Sequence, residues 1–177
     1  SLGRQEPQKG QIDLLRAMPT ILEQRPDCRL WLVGREGAST PELRSEVRRL
    51  ELCDSVEFLG VRDDVGDLLA AADVFVFPSH WEGLGGAVIE ALAMKLPIVA
   101  SDLPAIREVV SDHALLVDVG DFHALAAAVV EVLAQPFAAA QRCEAGYERF
   151  LEQFGKRAML DGMLNFYRSA AGITDAH

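Results

Sequence analysis

Cysteine is scarce in this sequence, and no two cysteines stand at metal-binding or redox spacing. The three that occur, Cys28, Cys53 and Cys143, are far apart and odd in number. Such an arrangement provides neither a disulfide framework nor a zinc site. We therefore expect a protein of a reducing, cytoplasmic compartment.

Long hydrophobic runs and a signal-peptide pattern are also lacking in the 177 residues. The longest apolar stretches fall far short of the ~20 residues that a membrane-spanning helix needs. We expect no transmembrane segment, and we leave open a peripheral membrane contact.

Positive charge is in short supply, since 17 Lys and Arg face 27 Asp and Glu, a formal net charge of −10. Nucleic-acid binding requires clustered basic side chains, so we expect no nucleic-acid partner. An anionic ligand would have to be held by local positive groups against this overall field.

Two motifs of cofactor and metal chemistry are absent as well. No G-x-G-x-x-G follows the first strand, which argues against a dehydrogenase. No Asp-x-Asp stands at a strand end to hold a divalent ion. We expect neither a resident cofactor nor a metal.

Hydrophobic periodicity predicts short buried strands that alternate with amphipathic helices. Strands are predicted to end at Leu2–Gly3 and to cover Cys28–Val33, Val56–Leu59, Val74–Phe77, Pro97–Ala100 and Leu115–Val117. Helices are predicted over Gln11–Glu23, Thr40–Leu52, Asp63–Ala72, Gly86–Met94, Ala105–Val110, Asp121–Ala134, Ala138–Gln153 and Lys156–Ala170. Pro19 is expected to kink or interrupt the first helix, and the last six residues are expected to fray.

This alternation predicts an α/β fold. We expect a Rossmann-like, doubly wound parallel sheet of about six strands with helices on both faces. Residues 1–177 are expected to form one domain, and its ligand should bind outside the carboxyl ends of the strands.

The stretch from Asp73 to Pro97 gives the strongest indication of a site. Its strand ends at Pro78, and a glycine-rich loop then leads into a helix, whose amino-terminal N–H groups favour an anion. The acids Glu82 and Glu90 would repel that anion, so we expect them to accept hydrogen bonds from neutral hydroxyls on either side of a diphosphate. A nucleotide-sugar has this composition.

Six motifs then occur in a fixed order. They are G-R-x(4)-K-G at 3–10, V-G at 33–34, F-L-G at 58–60, A-D-V-F-V-F-P-S at 72–79, E-G-L-G-G-A-V-I-E at 82–90 and P-I-V-A-S-D at 97–102. Over nearly the whole chain this set resembles the carboxy-terminal half of a family 4 retaining glycosyltransferase of the GT-B type. The resemblance implies a donor-binding domain for an NDP-sugar linked to UDP or GDP. It also implies an acceptor-binding amino-terminal domain that is absent from this chain.

The resemblance assigns catalytic roles to three charged residues. Arg4 and Lys9 would bind the donor diphosphate, and Glu82 would bind hydroxyls of the transferred sugar. Cations placed beforehand stabilise the charge that a leaving diphosphate gains, so no metal would be needed.

Further residues would bind the donor without taking part in the transfer. By resemblance Glu90 would hold the ribose hydroxyls, and the backbone around Gly85 and Gly86 would hold the distal phosphate. Secondary candidates in the same loops are Gly34, Val61 and Ser79, with the base near the backbone of Val61. For His80, packing and ligand contact both stay open.

Lys95 departs from the family pattern. It stands where the family usually has glycine, at the end of the central helix, a position that favours a left-handed backbone.

Two alternative functions stay open beside sugar transfer with retention. One is half of an NDP-sugar epimerase on the same fold, and the other is a non-catalytic nucleotide-binding or scaffold domain. The chain alone is expected to bind UDP or GDP and to transfer little or no sugar. The helix from Lys156 is expected to pack on the missing domain and, in isolation, to favour a homodimer.

Overall fold

A computed structural model describes residues 1–171, in which five strands alternate with eight α-helices. The strands are β1 (Leu30–Val33), β2 (Val56–Gly60), β3 (Phe75–Phe77), β4 (Ile98–Ser101) and β5 (Leu115–Val117). The helices are α1 (Gln11–Gln24), α2 (Thr40–Arg49), α3 (Val65–Ala70), α4 (Gly86–Ala93), α5 (Pro104–Val110), α6 (Phe122–Ala134), α7 (Pro136–Gln153) and α8 (Lys156–Ala170). A short 3-10 turn, Pro7–Lys9, precedes α1. The predicted fraying concerns residues 172–177, which lie outside the described residues.

The strands form two parallel sheets. β1 pairs with β2 in one sheet, and β3, β4 and β5 pair in that order in the other. Leu2 adds a single parallel bridge to Val33, while its side chain packs on the hydrophobic cluster that contains Phe75 and Phe77. The segment 1–3 therefore contacts both sheets. The described residues contain five strands and this bridge where about six strands were predicted, because only three residues run beside β1 before the chain turns at Arg4.

Alternating side chains along β3 and β4 point to opposite faces. Val76 and Val99 pack with α1, α2 and α6, whereas Phe75, Phe77 and Ile98 pack with α4 and α5. Burying each such side chain contributes about 1.5–3 kcal/mol. The period of two thus accounts for helices on both faces, and the predicted α/β class is confirmed.

α1 continues through Pro19, so of the two effects expected of this proline, a kink or an interruption, the interruption is wrong. Proline removes one backbone hydrogen bond from the helix interior. The buried side chains of Leu15, Met18 and Ile21 pack in the core on both sides of the proline. This packing offsets the missing bond, which the local sequence pattern did not reveal.

Lys95 adopts the left-handed conformation predicted for it, with φ of 53°. The N–H of Leu96 donates to the carbonyl of Ala91 at 3.1 Å, and the N–H of Lys95 donates to the carbonyl of Leu92 at 3.1 Å. These two bonds form a Schellman motif that ends α4. The Lys95 ammonium also contacts Glu144 on α7 at 2.8 Å.

Ser111 has φ of 52° and ψ of −118°, and the N–H of His113 donates to the carbonyl of Val110. These angles define the first central position of a type II′ turn, which favours glycine. We expect Ser111→Gly to stabilise the fold by about 1 kcal/mol in urea denaturation, because the strain of a side chain at positive φ is removed. Asp112→Gly, at the next position of the turn, has no positive φ to relieve and should destabilise the fold. Equal effects of the two changes would contradict this interpretation.

Glu46 on α2 accepts hydrogen bonds from Arg49 at 2.7 Å and from Arg16 on α1 at 3.2 Å. These bonds, that of Arg49 first, lower the pKa of Glu46 from 4.5 to about 2. Ionised Glu46 therefore stabilises the fold above pH 4.5, and this contribution is lost as the pH falls toward 2. We expect Glu46→Gln to reduce the free energy of unfolding at pH 6 more than at pH 3. Equal reductions at the two pH values would contradict this interpretation.

Candidate functional site

Two side-chain contacts connect the start of α1 and the turn before it to the loop that follows β3. Lys9 Nζ donates to Glu82 Oε1 at 2.6 Å, and His80 Nε2 lies 2.7 Å from Asp13 Oδ2. The partners of each pair are about seventy residues apart in the sequence. The structure thus brings together two of the three residues expected to be catalytic, Lys9 and Glu82.

Backbone hydrogen bonds hold the same two segments together. The N–H of His80 donates to the carbonyl of Gln8 at 2.8 Å, and Gln8 Nε2 donates to the carbonyl of Trp81 at 2.8 Å. We refer to the residues of these four contacts as the interloop cluster, which comprises Gln8, Lys9, Asp13, His80, Trp81 and Glu82.

Gly10 allows the interloop cluster to form. Its φ is 59°, and a Cβ atom at this position would lie 1.9 Å from the carbonyl oxygen of Pro78. Only glycine tolerates both this conformation and this approach. The start of α1 can therefore lie directly against the carboxyl end of β3.

The Lys9–Glu82 pair is largely withdrawn from water. The two side chains are 19% and 9% exposed, and the Lys9 ammonium lies 5.2 Å from the centre of the Phe77 ring. A cation over an aromatic face gains further attraction. Limited solvent makes the attraction between Lys9 and Glu82 stronger than that of a fully exposed pair.

Arg4, the third residue expected to be catalytic, differs from Lys9. Its side chain is exposed and makes no hydrogen bond or ion pair with any residue of 1–171. Gly34, with φ of 140°, abuts this segment, since a Cβ at position 34 would lie 2.1 Å from the carbonyl oxygen of Gly3 and 3.3 Å from the Arg4 nitrogen. Arg4 is therefore placed beside the end of β1 as an available cation.

The amino terminus of α4 lies in the same loop region. Gly85 caps the helix with φ of 78° and without a side-chain hydrogen bond, and a Cβ there would lie 2.5 Å from Ile106 Cδ1. Gly86 begins the helix in open space. The first N–H groups of α4 thus carry no side-chain cap and have the orientation that binds anions.

The remaining expected contacts are distributed over the same edge. Ser79 is fully buried, and its hydroxyl has no hydrogen-bond partner within residues 1–171. Val61 is 71% exposed and follows Gly60, whose carbonyl accepts from the N–H of Gly34 at 2.7 Å. Glu90 is exposed on α4, and no described hydrogen bond links it or Val61 to the interloop cluster.

Sequence reasoning missed Asp13, Gln8 and the packing role of Gly10. Asp13 is buried, with 6% exposure, and it lies at i, i+4 spacing from the buried residues Ala17 and Ile21 of α1. An acid on the apolar stripe of a helix needs a partner. That signal was available, although it does not identify His80 as the partner.

Residues 1–171 contain neither a cluster of metal ligands nor a single helix that could span a membrane. These residues contain no group of three or more His, Cys, Asp or Glu side chains arranged to hold a metal ion. No single helix among them has both the length and the apolar composition of a membrane span, and Phe122–Ala134 with Pro136–Ala170 meets that test only as a pair bent by 98°.

Comparison with known families gives one match over most of the chain. The family model described as Glycosyl transferases group 1 matches residues 1–135. The lipopolysaccharide core biosynthesis glycosyltransferase LpsE of Rhizobium meliloti is 31% identical over 96% of this chain and 49% of its own length. The phosphatidyl-myo-inositol mannosyltransferase of Mycobacterium leprae is 41% identical over 75% of this chain and 36% of its own length.

Solved structures show the same architecture. Sucrose-phosphate synthase from Thermosynechococcus elongatus superposes with a TM-score of 0.85 at 32% identity, over 98% of this chain and 45% of that one. HepE of Anabaena, in complex with UDP, superposes with a TM-score of 0.87 at 24% identity, over 95% of this chain and 47% of that one.

The chain spans about half, or less, of the length of the relatives it matches. These matches confirm the family that the ordered motifs predicted, and the fold is that of the GT-B glycosyltransferases. The chain belongs to the family described as Glycosyl transferases group 1.

Proposed function

We propose that this chain is the donor-binding domain of a retaining, metal-independent glycosyltransferase. The full enzyme would transfer a sugar from an NDP-sugar to an acceptor hydroxyl and keep the anomeric configuration. The observation that carries the proposal is the interloop cluster, because it joins the basic segment 4–9 to the loop that leads into α4.

The diphosphate would bind between Arg4, Lys9 and the amino terminus of α4. Arg4 is an available cation, and α4 offers N–H groups without a side-chain cap. As the bond to the sugar breaks, negative charge develops on the diphosphate oxygens. Cations and N–H groups held in place beforehand stabilise this charge without a large rearrangement, which lowers the barrier to transfer.

The neutral parts of the donor would bind to oxygen acceptors and to backbone. Glu82 would accept hydrogen bonds from the transferred sugar, and Glu90 would accept from the ribose diol. The buried Ser79 hydroxyl has no partner within residues 1–171, so a ligand atom that reached it would satisfy it. The loops after Gly34 and Gly60 would hold the base through their backbone groups near Val61.

The relatives support a sugar transferase and leave the base open. One relative from Corynebacterium glutamicum is named as a GDP-mannose-dependent mannosyltransferase, and others are named as glycogen synthases. The nucleotides tested for binding must therefore include both UDP and GDP. Because those relatives are about twice as long as this chain, we propose that an amino-terminal domain supplies the acceptor site in a cytoplasmic enzyme.

Helix α8 fits such a second domain. No residue of α8 is buried, and its exposed apolar side chains include Met159, Met163 and Phe166. We propose that the amino-terminal domain covers this face in the full enzyme. In its absence two copies of the chain would bury the face together, which light scattering detects as a dimer.

The test of donor binding is titration calorimetry of the chain with UDP, GDP and ADP. We expect one of these nucleotides to bind, and we expect Arg4→Ala to weaken that binding about 10- to 100-fold, since a hydrogen bond to a charged group is lost. Arg29→Ala is the matched control, because Arg29 is exposed and precedes β1 at the opposite edge of the sheet. Equal losses in the two variants would contradict a phosphate role for Arg4.

Transfer activity tests the proposed division between two domains. We expect the chain to release little or no NDP from an NDP-sugar when a sugar acceptor is added, because the acceptor site would lie on the other domain. Rapid transfer by this chain alone, measured as released NDP, would refute the need for that domain. Isomerisation of the NDP-sugar without an acceptor would instead favour an epimerase.

A further inference from the structure

We propose that Glu82 is a specificity-determining residue that favours the intact NDP-sugar over the free nucleoside diphosphate. The inference rests on the proposed function, and its observation is the ion pair that Glu82 forms with Lys9. Two groups assigned to adjacent parts of the donor thus contact each other directly.

The geometry makes the diphosphate and Glu82 compete for Lys9. Nζ of Lys9 lies 2.6 Å from Glu82 Oε1. A phosphate oxygen that accepts a bond of ~2.8 Å from the same Nζ then lies within about 5.4 Å of that carboxylate oxygen. Like charges at this separation repel, and the shielding of the pair from water keeps the repulsion strong.

The two ligands differ in how they relieve this repulsion. An NDP-sugar brings hydroxyls that donate to Glu82 as Lys9 turns to the phosphate, so the carboxylate exchanges one donor for another. A free nucleoside diphosphate brings no such hydroxyl. Its terminal phosphate also gains charge, because the second pKa of a phosphate is about 6. Glu82 therefore opposes the product and accepts the substrate, which helps the product to leave.

The rest of the site does not discriminate in this way. Arg4 has no partner within residues 1–171, so it attracts both ligands without first breaking a contact. The backbone around Glu82 is held independently, by the Gln8 contacts with His80 and Trp81. Glu82 lies in a loop between β3 and α4, so its side chain can be changed while the loop stays in place.

The experiment compares the Kd values of a nucleoside diphosphate and its matching NDP-sugar, UDP with UDP-glucose and GDP with GDP-mannose, by titration calorimetry. We expect Glu82→Gln to bind the free diphosphate about fivefold more tightly, because Lys9 is released from an ion pair. The same variant should bind the NDP-sugar about tenfold more weakly, because a charged acceptor of the sugar hydroxyls is lost. Glu90→Gln is the matched control. It should weaken the binding of both ligands to the same extent, because the ribose is common to them.

A second variant separates exchange of partners from general repulsion. In a Lys9→Met background no lysine remains to be released and only the repulsion is left, so we expect Glu82→Gln to tighten the binding of the free diphosphate clearly less than it does in the unaltered chain. Equal tightening in both backgrounds would overturn the exchange and leave only a charge effect.

The outcomes also distinguish this inference from the proposed function. If the unaltered chain binds neither any nucleoside diphosphate nor any NDP-sugar, both proposals fall. If it binds them and Glu82→Gln weakens both to the same extent, the donor site stands and the role of Glu82 in selectivity is refuted.

Discussion

The arrangement of the candidate site depends on the close approach of Gly10 to the carbonyl oxygen of Pro78, where a Cβ atom would lie only 1.9 Å away. This approach places the start of α1 against the carboxyl end of β3. Lys9 and Asp13 then reach Glu82 and His80, their partners across the loops. The packing of Phe75 and Phe77 on one face of β3, and of Val76 on the other, holds that strand end in position.

The distribution of charge around the interloop cluster bears on the proposed donor binding. A protein with a formal net charge of −10 would repel an anionic donor overall, so the proposed donor binding depends on positive groups concentrated at one point. Three such groups lie in loops at the carboxyl edge of the sheets: the available Arg4, the paired Lys9, and the uncapped amino terminus of α4. Under the proposed function these groups have different tasks, Arg4 in capture of the diphosphate and Lys9 in exchange of partners.

Much of the fold could be predicted from the sequence because it depends on local patterns. Apolar runs ended by Gly34, Gly60 and Pro78 predicted the strands. The position of Lys95 after α4 predicted its left-handed backbone. Long-range packing decided the rest. Pro19 stays inside a helix because its neighbours are buried, and the pairing of Asp13 with His80 joins residues that no local pattern relates. For the site, sequence reasoning named Lys9 and Glu82 without showing that they bind each other.

A crystal structure of the chain with a bound NDP-sugar tests the central claim most directly. The account predicts diphosphate oxygens within about 3 Å of Lys9 Nζ and of the first N–H groups of α4, with Glu82 turned from Lys9 to the sugar hydroxyls. A nucleotide bound at the amino edge of the strands, or a diphosphate remote from an unchanged Lys9–Glu82 pair, would contradict it.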